Sequence, residues 1–144
     1  MNSSQYEVST DPDRIDLDLV HGFLSRSYWA EGRSRELVER SIKNSLCFGV
    51  YLSQEQVAFA RVISDKAVFA YLADVFVVPS FRGHGISKLL MRRIVEHPHL
   101  HGIQQFLLLT RDAHGLYDQF GFRRCPQVDR LMVKYNQNGD KRAT

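Results

Sequence analysis

The sequence predicts an α/β fold built around one sheet, and three observations carry that expectation. Apolar, strand-like runs occupy 46–53, 56–63 and 67–78, separated by the polar turns Ser53-Gln54-Glu55 and Ser64-Asp65-Lys66, which are short enough for hairpins. The third run ends in Val75-Phe76-Val77-Val78, typical of a strand buried on both faces, and passes through Pro79 and a glycine turn into Ile86, Leu89, Leu90 and Ile94 at helical spacing. A further apolar run, 103–110, leads into a short helical stretch that ends at Gly121. With 144 residues and no repeat or linker, one domain over 1–135 is expected, followed by a polar tail at 136–144.

In chain order, Tyr6–Ser9 alternates as a short opening strand. Thr10-Asp11-Pro12 reads as a helix start, with Asp11 as cap and Pro12 in the first turn. Ile15, Leu19 and Phe23 form that helix's apolar stripe, and Asp13, Asp16 and Asp18 lie where the dipole favours acids. The pattern breaks over Ser27–Gly32 and resumes as a second helix, Ser34–Asn44, with Leu37, Val38 and Ile42 inward. After the three strands, the helix opening at Ile86 stops near His97-Pro98, because the residue before a proline resists helix. Ile103–Thr110 is another strand, and Asp112 is the expected cap of a helix over Ala113–Phe120. Phe122–Arg124 and Val128–Tyr135 are expected to close the sheet as a final pair of strands.

A formal charge of +3 is mildly basic. Nucleic-acid binding needs a basic stripe with interleaved aromatics, which is missing, so no nucleic-acid partner is expected. Cations gather instead around Arg82, Lys88, Arg92 and Arg93, where an acidic ligand would account for them. A second group, Arg26, Arg33, Arg35, Arg40 and Lys43, reads first as a solvated face. No apolar run reaches membrane-spanning length and M-N-S-S-Q-Y-E lacks a leader's layout, so a cytoplasmic location and no membrane partner are expected. Cys47 and Cys125 have no zinc spacing and read as reduced thiols. The cluster His97-Pro98-His99-x-His101 lacks supporting carboxylate or cysteine ligands, so it reads as a polar loop and no metal is expected.

The segment 75–96 carries the clearest chemistry. A strand, the turn Arg82-Gly83-His84-Gly85 and a helix start form an anion cradle: uncapped N–H groups and the positive end of the helix dipole face the turn. Gly83 and Gly85 allow close backbone approach, and Arg82 adds a donor fork suited to phosphate oxygens. Neither a Walker loop nor the dinucleotide fingerprint has this spacing. The pattern Arg/Gln-x-x-Gly-x-Gly/Ala after a strand resembles the pyrophosphate signature of the GNAT superfamily of acyl-CoA-dependent N-acetyltransferases. Arg82 and Gly85 fit it, and Ser87 stands where Gly or Ala is usual. A second segment, Ala113-x-x-Leu116-Tyr117-x-x-Phe120-Gly121-Phe122, is similar to that superfamily's A-x-x-L-Y-x-x-x-G-F motif, with Thr110 where Asn is common.

That resemblance covers nearly the whole chain and implies a GNAT fold: a central, mixed, mostly antiparallel sheet of about six to seven strands with helices on both faces. It further implies a splay between the Ala67–Val78 and Ile103–Thr110 strands that admits the pantetheine arm of acetyl-CoA. The coenzyme A contacts it implies are Phe76 and Val77 by backbone, Arg82, Gly83, His84, Gly85, Ile86 and Ser87 around the pyrophosphate, then Thr110 and Tyr117. Tyr117 is the implied general acid beside the sulfur, and Asp74, expected half-buried against Phe76 and Leu72, is the candidate base or amine-orienting group, with a structural hydrogen bond to a neighbouring loop as the third option. Tyr28 and Trp29 are candidates to enclose the amine, while Arg26, Arg33 and Arg61 would suit an acidic acceptor. His84 belongs with backbone contact to the cofactor, and His114 with the start of its helix. The expected activity is acetyl transfer to a primary amine of a small metabolite by direct attack in a ternary complex, and a homodimer is a possibility the family brings. Rival readings are a protein amino group as acceptor, a non-catalytic acyl-CoA-binding domain, and transfer to oxygen or of a longer acyl chain.

Overall fold

The computed structural model describes residues 5–136; the polar tail expected at 136–144 lies, apart from Asn136, outside them. One five-stranded sheet runs in the order β1 (Tyr6–Ser9), β2 (Leu46–Leu52), β3 (Glu55–Ser64), β4 (Phe69–Val77) and β5 (Gln105–Leu108). The first four are antiparallel neighbours, and β5 joins β4 in parallel. A parallel neighbour needs a crossover, which α3 (Ile86–Glu96) supplies. Gly49 in β2 is set by close approach, since a Cβ there would collide with the Tyr51 ring.

Helices cover both faces. Ile86, Leu90, Met91 and Ile94 of α3 are buried against Phe48, Val62 and Leu72 of the sheet. Each such side chain contributes roughly 1.5–3 kcal/mol on leaving water. On the other face, α1 (Leu17–Leu24) and α2 (Arg35–Lys43) enclose a smaller core of Val20, Leu24, Val38, Phe59 and Phe76. Phe76 and Val77 enter opposite cores, as expected of a strand buried on both faces.

Several expected details change. Asp11 and Pro12 open only a 3-10 turn, Pro12–Arg14. The helix α1 starts afresh at Asp16, whose carboxylate accepts from the Leu19 N–H at 3.1 Å. A second tie fixes that start: the Gln56 side-chain carbonyl accepts from the Asp16 N–H at 2.8 Å, joining α1 to β3. Leu37 faces outward at 49% exposure, leaving Val38 as the buried residue of α2.

The expected closing strands do not form among the described residues. Phe122 packs edge-on to Phe106 at 5.3 Å, and beyond it the chain is exposed and irregular apart from a 3-10 turn at Val128–Arg130. Pro126 offers no N–H, and that turn consumes the Arg130 and Leu131 N–H groups internally, so the apolar alternation finds no ladder. The sheet therefore has five strands where six to seven were expected, within the same α/β class.

Candidate active site

The pairing of β4 with β5 runs from Phe69–Gln105 to Leu72–Leu108 and stops, although β4 continues to Val77. Beyond Leu72, β4 is paired only on its β3 side. Its other edge faces a cleft of about 750 Å³, whose far wall carries Leu108, Thr110, Leu116 and Tyr117. The splay thus leaves strand backbone open to an extended ligand.

At one end lies the glycine turn. Gly83 and Gly85 have φ of 83° and 79°, and a Cβ built on either meets nothing within 4 Å. Only glycine adopts this left-handed geometry without strain. Gly85 is also the N-cap of α3, with no side chain capping the first turn. Free N–H groups, open space and a helix dipole fit a pyrophosphate. Arg82 is tethered across the strand end, its Nε donating to the Val77 carbonyl at 3.2 Å, and it lines the cleft together with Ser87. The His84 Nδ1 lies 3.1 Å from the Phe81 carbonyl oxygen. Ile86 is 2% exposed and its side chain belongs to the core, so only its backbone is available to a ligand.

Midway, Tyr117 of α4 (His114–Asp118) is buried in the far wall. Burial, helped by the nearby Tyr28 and Asp112, pushes its phenol up to about 12, so it keeps its proton at neutral pH. The expected cap of α4 does not form. Ala113 is the N-cap, with no side chain capping the first turn, and the Thr110 hydroxyl accepts from the Ala113 N–H at 3.0 Å. Thr110 therefore holds the helix that carries Tyr117. His114 lines a separate groove behind Tyr117 rather than the cleft.

The other end is organised by Asp74. It has φ of 57°, in a bulge where the β3–β4 register shifts between Phe59 and Arg61. One extra residue reverses the alternation downstream. Leu72 faces the α3 core, whereas Asp74 and Phe76 face the α1–α2 side. The expected setting for Asp74, half-buried against Leu72, is therefore incorrect. Its side chain is 2% exposed, and both oxygens are engaged. Oδ1 accepts from the Trp29 indole at 2.9 Å, while Oδ2 accepts from Arg33 at 2.9 Å and from the Arg61 Nε at 2.8 Å. Arg61 also donates to the Ser45 hydroxyl at 3.2 Å. Asp74 and Arg61, with Tyr28, Trp29 and Arg33, all line the cleft, but Arg26 does not.

Two lining residues escaped the sequence reading. Arg111 sits with its guanidinium 3.7 Å over the Tyr28 ring, closing the cleft from the β5 side, and Tyr71 contributes a third phenol beside those of Tyr28 and Tyr117. Position after a strand hinted at Arg111, but nothing in the sequence paired it with Tyr28. Among the described residues no group of three or more His, Cys, Asp or Glu could hold a metal ion. Nor is any helix among them long and apolar enough to cross a membrane.

Comparison with known proteins bears on this geometry. The family model described as an acetyltransferase (GNAT) domain matches residues 43–124, more than half of the chain. A candidate acetyltransferase of Gibberella zeae is 29% identical over 136 residues, covering 78% of this chain and 75% of its own. A serotonin N-acetyltransferase of Oryza sativa is 34% identical over 80 residues, 55% of this chain but 40% of the rice protein. Among solved structures, a candidate GNAT-family acetyltransferase of Xanthomonas campestris superposes with a TM-score of 0.88 at 49% identity, covering 91% of this chain and 93% of its own. A Clostridium acetobutylicum candidate acetyltransferase, solved with acetyl-CoA, shares the fold at TM-score 0.64 and 18% identity over 91% of this chain and 94% of its own.

Proposed function

The chain belongs to the GNAT acetyltransferase family, and from that premise we propose that it moves the acetyl group of acetyl-CoA onto a primary amine of a small metabolite. The observation that carries this reading is the splay itself: one cleft joins Arg82 and Ser87, which flank the glycine turn, to the open edge of β4 and the protonated Tyr117, while Gly83, His84, Gly85 and Ile86 lie outside its lining. A relative of the same fold solved with acetyl-CoA supports the choice of cofactor.

Acetyl-CoA supplies the acyl group as a thioester, which the amine attacks directly and whose sulfur departs. Gly83, Gly85 and the first-turn N–H groups of α3 would hold the pyrophosphate, with Arg82 beside them. The unpaired edge of β4 near Phe76 and Val77 would fix the arm by backbone hydrogen bonds and polarise the carbonyl. Tyr117 would donate to the departing sulfur. With its phenol at about 12 and a thiol near 8.5, full transfer is uphill by roughly 5 kcal/mol. Tyr117 therefore serves as a hydrogen-bond donor that completes the transfer only as the attacking amine gives up its own proton.

Of the parts open to Asp74 in the reaction, proton acceptor and amine-orienting group, the contacts of its carboxylate favour the orienting one. With both oxygens held by Trp29, Arg33 and Arg61, it positions the acceptor end of the cleft, and the amine loses its proton to water. Tyr117→Phe should lower kcat by roughly a hundredfold while leaving CoA affinity within about threefold. An unchanged kcat across pH would overturn the role of Tyr117.

A further inference from the structure

The acceptor end of the cleft carries more positive charge than its structure requires. Four arginines (Arg33, Arg61, Arg82, Arg111) and two aspartates (Asp74, Asp112) line the cavity. Arg82 belongs to the pyrophosphate end and Asp112 follows Arg111 directly, so the balance at the acceptor end turns on Arg33, Arg61 and Asp74. There two guanidiniums converge on one carboxylate oxygen. One arginine would neutralise Asp74; the second leaves an uncompensated unit of positive charge. Arg61 is only 12% exposed and Arg33 26%, so water screens this charge incompletely.

The donors left over point the same way. Arg61 spends Nε on Asp74 and one terminal nitrogen on Ser45, while Arg33 spends one terminal nitrogen on Asp74. Their remaining N–H groups have no partner among the described residues. Among the described residues no fully buried side-chain nitrogen or oxygen lacks a partner either, so these groups retain contact with solvent, and both arginines line the cavity. Asp74, held rigid in its bulge, fixes the direction in which they are presented. Opposite them, Arg111 clamps Tyr28, and Tyr28 stacks edge-on to Trp29 at 5.2 Å, narrowing the entrance with aromatic faces.

A simple amine enters as a cation and would meet this end as a like charge. An amine that also carries a carboxylate enters as a zwitterion, and a planar carboxylate matches a guanidinium fork. We propose that the acceptor is an amino-carboxylate, a free amino acid or close analogue, whose carboxylate is held by Arg61 and Arg33 while its amine faces the thioester beside Tyr117. This inference rests on the transferase reading above and narrows its acceptor. Arg61 and Arg33 act as specificity residues, and Asp74 as their positioning residue.

The test is a panel in which each amino acid is paired with its own carboxamide and its own decarboxylated amine, assayed with acetyl-CoA by thiol release. The amino-carboxylate member should win by at least about tenfold in kcat/KM in one or more sets. Decarboxylated amines or carboxamides turned over as well or better in every productive set would overturn the proposal. Arg61→Lys keeps the charge on Asp74 and removes the fork. It should cut kcat/KM for the preferred amino-carboxylate by about tenfold or more and change that of its decarboxylated partner by less than about threefold. Equal losses for both would point to a merely structural arginine and overturn the assignment. If no amine turns over, the transferase reading falls, and calorimetry on CoA-saturated protein decides the arginine site separately. Amino-carboxylates binding about tenfold tighter than their decarboxylated partners would support it, and equal or absent binding would overturn it.

Discussion

The two ends of the cleft are built by opposite means. At the glycine turn the working groups are backbone N–H donors, freed because Gly83 and Gly85 take left-handed φ and no side chain caps α3. At the Asp74 end the working groups are side chains from three separate segments: Trp29 and Arg33 from the α1–α2 connection, Arg61 from β3 and Asp74 from β4. Backbone donors cannot be edited by substitution, which suits the binding of an invariant group such as a phosphate. A side-chain cluster is readily exchanged, which suits an end that distinguishes one acceptor from another. The bulge links the two, because Asp74, itself in αL geometry, turns toward the arginines where the β3–β4 register shifts, and β4 then runs on to its open edge at Phe76 and Val77.

The sharpest way to break this contrast is Asp74→Ala. It strands two guanidiniums and an indole around a vacated, 2%-exposed site and should cost about 3 kcal/mol in urea denaturation, the low end for a broken buried pair because Arg33 keeps some contact with water. A loss below about 0.5 kcal/mol would show that the cluster does not hold the fold. A smaller effect is expected at the other end. Gly85→Val should weaken CoA binding by about tenfold or more, while its stability cost stays near 1–2 kcal/mol. Unaltered affinity would remove the glycine turn from the site.

Smallest in free energy, yet diagnostic, is thiol labelling. Burial, only partly offset by Arg61, pushes Cys47 up to about 12, whereas Cys125 is exposed. A maleimide at neutral pH should modify one thiol per chain, and Asp74→Ala should admit a second by loosening the packing around Arg61. Two labels on the unsubstituted protein would mean that the acceptor end is more open than described.

What could be read from the sequence follows the same division. The glycine turn, its strand and its helix are contiguous, so the shape of Val75–Glu96 was legible from the sequence. Tyr117 was found through its place in a second local motif, and the cleft brings it together with Phe76, Val77, Arg82, Ser87 and Thr110. Trp29, Arg33 and Arg61 were singled out near the acceptor, but their joint attachment to Asp74 was not legible. It depends on a bulge that strand alternation conceals and on contacts spanning 41 and 45 positions. The closing strands failed for a related reason: apolar alternation over Val128–Tyr135 predicts a strand only where a ladder and a face exist to receive it. Asp112 does not cap α4, because the helix starts one residue later with Ala113 at the N-cap, whose N–H is taken by the Thr110 hydroxyl.

Calorimetric titration of acetyl-CoA into the unsubstituted protein tests the account most directly. The account predicts one site per chain, abolished or weakened at least about tenfold by Gly85→Val. Absence of heat, together with a melting temperature indifferent to acetyl-CoA, would contradict it.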